Sequence, residues 1–288
     1  MTSPQHASVM PAAYPQLVFV TGAPRSATTF ISDWISQSPY AYCAHEISRE
    51  VAGMTDEQIM QFLRTCAASG ADRLGKAGIR DHMRWNSLPR KDAARLRVLG
   101  FKEPVFWPVQ SPAPPYHADG FLRKLQAKYI TTMRHPYDVV ASGKHRAATT
   151  ATWPGFTTEQ HVLLWRSAVL QWQSYIRHGY STLCLRWEQL VLQPSVTRRA
   201  LQRFLGISLP AFCGYARDAD YIEELRRNVS PTKGLTSSGY RDYLTQADIE
   251  VIRSIAGDLT ADLGYELSPC LRKGRSGLAI TRRSRPGA

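Results

Sequence analysis

Gly22, Ala23, Pro24, Arg25, Ser26, Ala27, Thr28 and Thr29 follow a short apolar, β-branched run and lead directly into a helix-like segment. Strand, tight turn and helix in that order build an anion cradle. The loop N–H groups and the helix's first turn converge on one place, and Ser26, Thr28 and Thr29 add hydroxyl donors. The lysine of the ordinary triphosphate loop, G-x-x-x-x-G-K-S/T, is missing. Ala27 and Thr28 stand where its glycine and lysine would be, and the fixed cation is Arg25, inside the loop. Such a cradle suits a phosphate or phosphosulfate rather than the γ-phosphate and Mg²⁺ of ATP.

A second anion signature runs from Thr132 to Ser142. Arg134 ends a strand and can fork onto a phosphate. Ser142, two turns along the helix begun by Pro136, can donate to the same group. Alone, R-x-P-x-D is a weak pattern; after a phosphate loop in an alternating chain it is a strong one.

These residues need elements to hold them. Gln16–Thr21, Tyr40–Ala44, Arg97–Phe101, Lys128–Met133 and Thr182–Arg186 read as strands. Thr28–Gln37, a segment starting at Thr55, Thr158–His178, Ser195–Leu205 and Ala247–Leu263 read as helices, the first position of another being Pro136. On the long helix, Val162, Trp165, Val169, Trp172 and Ile176 recur at helical spacing, and the tryptophans are expected to belong to the core. Ser111–Tyr116 is loop, because three prolines in six residues suit neither helix nor central strand. The alternation predicts an α/β fold: a P-loop-type, doubly wound, mainly parallel sheet with helices on both faces, in a single domain. Ligands in such sheets bind beyond the carboxyl ends of the strands. Residues 1–15 are expected to be a disordered leader, 16–268 the folded domain and 269–288 a basic flexible tail.

At 288 residues and 43% apolar content the chain has ample material for a core. Its net charge is +13, and residues 271–288 carry six cations and no acid. A basic body suits a polyanionic ligand such as a nucleotide. The five cysteines are scattered and form no C-x-x-C pair, which speaks against a disulfide framework or a zinc site and for a reducing cytoplasm. No 18-residue apolar run and no secretory signal is visible.

Taken together, the motifs resemble the PAPS-dependent sulfotransferases, which move a sulfuryl group from 3′-phosphoadenosine-5′-phosphosulfate (PAPS) to a hydroxyl or amine. Their loop P-R/K-S-G-T-T is matched by Pro24 to Thr29, with Ala27 at the glycine. Their 3′-phosphate element R-x-P-x-D-x-x-x-S is matched by Arg134 to Ser142. Trp187-Glu188-Gln189-Leu190 looks like a variant of a bacterial Y/F-E-D/E-L element, in which Glu188 braces the loop beside Trp187. Gly239-Tyr240-Arg241-Asp242 echoes a late G-x-W/Y-R/K element. The resemblance spans about residues 16–266.

The resemblance implies the roles. Cys43-Ala44-His45-Glu46 falls where the tyrosylprotein-sulfotransferase branch and many bacterial members place a glutamate, so Glu46 is the expected general base and His45 its rival. Arg25 is expected to stabilise charge on the 5′-phosphate leaving group and on the moving sulfuryl. Lys102, at a strand end, is expected to face the sulfuryl. Lys233 and Tyr240 close over the nucleotide. Ala27 is expected to lie already in the helix's first turn, where alanine is harmless. PAPS is the implied cofactor and PAP (3′-phosphoadenosine-5′-phosphate) its product, with no metal. The partner is a small-molecule or peptide hydroxyl acceptor, with no nucleic acid and no membrane span. Aromatic residues in 51–89, 107–117 and 147–156 are candidates for the acceptor pocket. The rival functions are a P-loop kinase or NTPase, a non-catalytic PAP-binding protein and a nucleic-acid-binding module. The first lacks its Gly-Lys-Ser/Thr and the last shows no recognisable reading motif.

Overall fold

The computed structural model describes residues 15–51, 54–69, 91–105, 127–151, 153, 155–211, 229–230, 234–235 and 243–267. Five strands, β1 (Gln16–Gly22), β2 (Ala41–His45), β3 (Val98–Pro104), β4 (Lys128–Met133) and β5 (Ser181–Arg186), form one sheet in the order β2-β3-β1-β4-β5. Every pairing in it is parallel. The helices are α1 (Thr28–Ser36), α2 (Ser48–Val51), α3 (Asp56–Ser69), α4 (Pro136–Thr149), α5 (Thr158–Arg177), α6 (Trp187–Leu192), α7 (Pro194–Leu205) and α8 (Gln246–Thr260). A 3₁₀ turn at Ala93–Arg95 precedes β3, another at Ala261–Leu263 follows α8, and β6 (Val229–Ser230) pairs antiparallel with β7 (Gly234–Leu235).

The sheet is apolar on both faces because helices cover both. Along β1, Leu17 and Phe19 point to one side, where they meet Phe101 and Tyr129 and the buried Ile59 and Leu63 of α3. Val18 and Val20 point to the other, against Ile31, Trp34 and Ile35 of α1 and Leu201 and Leu205 of α7. A third cluster joins α4, α5 and α8 through Val140, Trp165, Val169 and Ile252. The expected core role of Trp165 and Trp172 is what the structure shows.

Local chemistry sets the helix ends. Thr157 and Gln160 form a capping box at the start of α5, and Thr245 and Asp248 do so at α8. Pro136 occupies the first turn of α4, where its missing N–H leaves no helical bond broken. The short α2 and α6 and the two-residue β6 and β7 carry too little periodicity to be visible in the sequence. Ser111–Tyr116 lies outside the described residues, as do positions 1–14 and 268–288.

β1 sits between β3 and β4, so the chain builds the sheet first on one side of it, with β2 and β3, and then on the other, with β4 and β5. The crevice beyond its carboxyl end is the topological switch point, where open parallel sheets bind ligands. Gly22 is the last residue of β1, in register with Pro104 on one side and Thr132 on the other.

Candidate active site

The cradle begins at Gly22, whose φ is +152° and which packs against β4. A Cβ there would lie 2.3 Å from the Thr132 carbonyl oxygen, so no other residue fits without moving a strand. The loop then turns back on itself, with Ser26 N–H donating to Ala23 O at 3.1 Å. Arg25 and Ala27 are both left-handed, at φ +72° and +71°, with Ser26 between them outside that region. Alternating handedness aims successive N–H groups inward and forms an anion nest. It opens onto the start of α1, which has no side-chain cap and no acidic residue in its first turn. The donors that a cap would have satisfied are thus left for a ligand. The Ser26 hydroxyl is fully buried and has no hydrogen-bond partner among the described residues. A buried orphan donor inside a nest is what a phosphate or phosphosulfate would satisfy, and the cradle fits such a group.

Ala27 corrects the sequence reading. It is not in the helix's first turn but is the N-cap, in the left-handed conformation. That is the conformation a glycine adopts freely, and an alanine there costs about 1 kcal/mol. The chain keeps the nest despite the Cβ.

The second anion element meets the first. Arg25 Nε donates to Ser142 Oγ at 3.0 Å, across 117 positions of sequence. Arg134 Nη1 lies 3.4 Å from the Arg25 carbonyl oxygen and donates to it. The sequence reading has Arg134 and Ser142 gripping one phosphate; the structure also brings both against Arg25, so the two elements form one rim. Each arginine lies over an indole, Arg25 over Trp153 and Arg134 over Trp187, both at 5.7 Å. Arg134 Nε is 4.0 Å from Asp138 Oδ2 and has no hydrogen-bond partner among the described residues.

One strand over from β1, Lys102 is buried at 3% exposure and donates to Glu46 Oε1. β3 runs on to Pro104, so Lys102 lies inside the strand, in register with Val20 and His45, rather than at its end. Glu46 follows β2, its N–H donating to Lys102 O at 2.8 Å. Its φ is +49°, and its side chain is 43% exposed. A glutamate in the left-handed region is strained, and strain of this kind gathers at functional sites. His45 takes other partners: its Nε2 is 2.7 Å from Asp33 Oδ1 and 2.9 Å from Ser32 Oγ, both on α1. The Asp33 contact has ion-pair distance without hydrogen-bond alignment.

Thr28 is buried at the first position of α1 and Thr29 is half-buried beside it. Pro24 and Ala23 complete the turn, Ala23 wholly within the core. Lys233 and Tyr240 lie outside the described residues, as do Trp85, Trp107 and Tyr116 of the expected acceptor pocket.

Two further residues stand beside the rim: Glu188, which the sequence reading names only as a brace for its loop, and His161, which it does not name. Glu188 is 1% exposed and accepts from His135 N–H at 2.8 Å and from Tyr265 O–H at 2.9 Å. Burial pushes its carboxyl up to about 7, against the His135 bond that favours the ionised form. His161, on α5, is 1% exposed and its ring fills the space beside Gly143, where a Cβ would lie 2.2 Å from its Cε1. Burial, with Lys144 and Arg25 adding to it, pulls the imidazole down to about 4 and keeps it neutral at pH 7. The Glu-containing motif was a signal for the first; nothing in the sequence marked the second.

A sequence model described as the sulfotransferase family matches residues 15–211. No curated protein matches the chain. Among the solved structures that are similar, three illustrate the likeness. The sulfotransferase domain from the Synechococcus PCC 7002 olefin synthase is 18% identical with a TM-score of 0.44, over 84% of this chain and 95% of that one. The sulfotransferase domain from the curacin biosynthetic pathway is 16% identical with a TM-score of 0.48, over 88% of this chain and 99% of that one. Mouse sulfotransferase SULT7A1 complexed with PAP is 14% identical with a TM-score of 0.46, over 85% and 87%.

Proposed function

The chain belongs to the sulfotransferase family, and we propose that its sulfuryl donor is PAPS and its general base Glu46. It is an enzyme that transfers a sulfuryl group to an acceptor. The observation that supports the finer reading is the single rim made by two distant anion elements. A nest with an uncapped helix start, Arg25 and Arg134 stand together beyond β1. One phosphate needs only one such element; a donor carrying phosphate at both ends of a nucleoside needs two.

In this reading PAPS supplies a sulfuryl on a good leaving group, the 5′-phosphate of PAP. The nest amides, Ser26, Thr28 and Thr29 hold that 5′-phosphate. Arg25, held by its Nε bond to Ser142, stabilises the charge that builds on the leaving oxygen. Arg134 and Ser142 hold the 3′-phosphate. Lys102 meets developing charge on the sulfuryl and anchors Glu46. Glu46 takes the proton of the acceptor's hydroxyl or amine as that atom's bond to sulfur forms and the bond from sulfur to the phosphate oxygen breaks. The proton becomes acidic only late in the transfer, so a carboxylate suffices. Catalysis is then mostly positioning and charge stabilisation. The acceptor is a small molecule or a peptide hydroxyl. His45, held by Asp33 and Ser32 through Nε2, is the lesser candidate for the base.

The test is substitution of the base. Glu46→Gln should keep PAP affinity and lose turnover of labelled PAPS by about two to four powers of ten. Full retained turnover would transfer the role to His45 or another group.

A further inference from the structure

The Arg134–His135 peptide is clamped from both sides. Its carbonyl oxygen, Arg134 O, accepts from the indole Nε1 of Trp165 at 2.9 Å. Its N–H, on His135, donates to Glu188 Oε1 at 2.8 Å. The two clamping side chains come from α5 and α6, so the peptide plane is fixed between helices on different parts of the sheet. Both groups are buried.

Glu188 is held in turn from beyond α8. Tyr265 O–H donates to Glu188 Oε2 at 2.9 Å, and the Tyr265 ring stacks edge-on against His135 at 5.3 Å. The same short segment takes three further bonds. His135 Nε2 lies 3.0 Å from Glu266 O, while Tyr137 O–H and Arg253 Nε donate to Leu267 O at 2.6 and 3.0 Å. Residues 265–267 therefore strap the corner where β4 gives way to α4, and they lie beyond the stretch that the family model matches. The residue next to Glu188 completes the arrangement, since the Trp187 ring lies under the Arg134 guanidinium.

We propose that Glu188, locked by Tyr265, is a positioning residue that aims Arg134 at the 3′-phosphate of the nucleotide. This rests on the PAPS reading given above. The chemistry explains the residue type. A carboxylate accepts from two donors at once, one per oxygen. A glutamine in the same place offers one acceptor oxygen, and its NH₂ faces a tyrosine hydroxyl that must then turn round. A clamp of this kind moves the guanidinium by small amounts, and a bidentate contact is sensitive to such shifts. Burying a carboxylate is costly, so its retention in the core calls for both bonds.

The test is nucleotide titration of the full chain with PAP and with AMP, which lacks the 3′-phosphate. Wild type, Glu188→Gln, Tyr265→Phe, Arg134→Ala and the double variant Arg134→Ala/Glu188→Gln are compared. Arg134→Ala should reduce the preference for PAP over AMP. Glu188→Gln should reduce it by about tenfold, as for a charge-assisted bond made at the wrong angle, with AMP affinity unchanged. Tyr265→Phe, which removes only the hydroxyl, should lower it in the same direction and serves if Glu188→Gln fails to fold. In the Arg134→Ala background Glu188→Gln should do nothing further, because its effect passes through that guanidinium. Equal loss of PAP and AMP affinity, an additive double variant, or an unchanged PAP preference in Glu188→Gln and Tyr265→Phe would overturn the proposal. Failure of the wild type to prefer PAP would overturn the underlying reading instead.

Discussion

At the residue scale, the site is made of side chains whose types were visible and whose backbone conformations were not. Arg25, Ser26, Arg134 and Ser142 stand out as donors at telling positions. That Arg25, Ala27 and Glu46 are left-handed does not show in a string of letters, because none is glycine. Ala27 illustrates the gap: alanine in a motif that usually has glycine reads as helix, and the structure makes it a strained N-cap. Ala27→Gly should therefore stabilise the protein by about 1 kcal/mol in chemical denaturation, with PAP affinity kept or improved. A destabilised glycine variant would show that the left-handed cap is not strained. Arg134→Ala should leave the fold intact and weaken PAP binding by about ten- to a hundredfold, measured by calorimetry. Unchanged affinity would remove Arg134 from the site.

At the element scale, most strands and long helices were legible because each buries a regular stripe. β4 spans Lys128–Met133 as read, and α5 ends one residue before the sequence reading puts it. Short elements and long-range side-chain partners were not legible, since pairs such as Arg25 with Ser142 or Glu188 with Tyr265 depend on the packing of distant segments. The α4–α5 contact carries its own test. A Cβ at Gly143 would drive into the buried His161 ring, one residue after Ser142. Gly143→Ala should cost about 1–3 kcal/mol through overpacking and should also weaken PAP binding by displacing Ser142. Unaltered stability and affinity together would show that the two helices separate freely.

His161 also links this contact to pH. Its folded value, about 4, lies below the ordinary 6.5. The unfolded chain therefore binds the proton more readily between those values. The stability that His161 contributes is fully present above pH 6.5 and is lost as pH falls through 4, on the order of 3 kcal/mol. Denaturation midpoints measured from pH 7 to 4 should fall less steeply in His161→Phe than in the wild type. Parallel curves would mean that the imidazole protonates without opening the helix pair.

At the scale of the whole molecule, the sheet order explains why one place collects the chemistry. β1 lies between strands reached in opposite directions, so the loop after it, the Lys102 strand and the Arg134 corner all open at the same edge. The alternation of strands and helices showed the fold class, but the neighbours of β1 had to come from the structure, because parallel pairings join segments far apart in sequence. No described helix is long and apolar enough to cross a membrane. The net charge of +13 favours a polyanionic ligand over the whole surface. Charge alone attracts every nucleotide; in the proposed reading, selectivity comes from the rim.

The most direct test of the central claim is isothermal titration of the full chain with PAP, with ATP and AMP as controls and no added metal. Two anion elements on one rim predict micromolar PAP binding that ATP and AMP do not match. No PAP binding, or ATP binding as well as PAP, would contradict it.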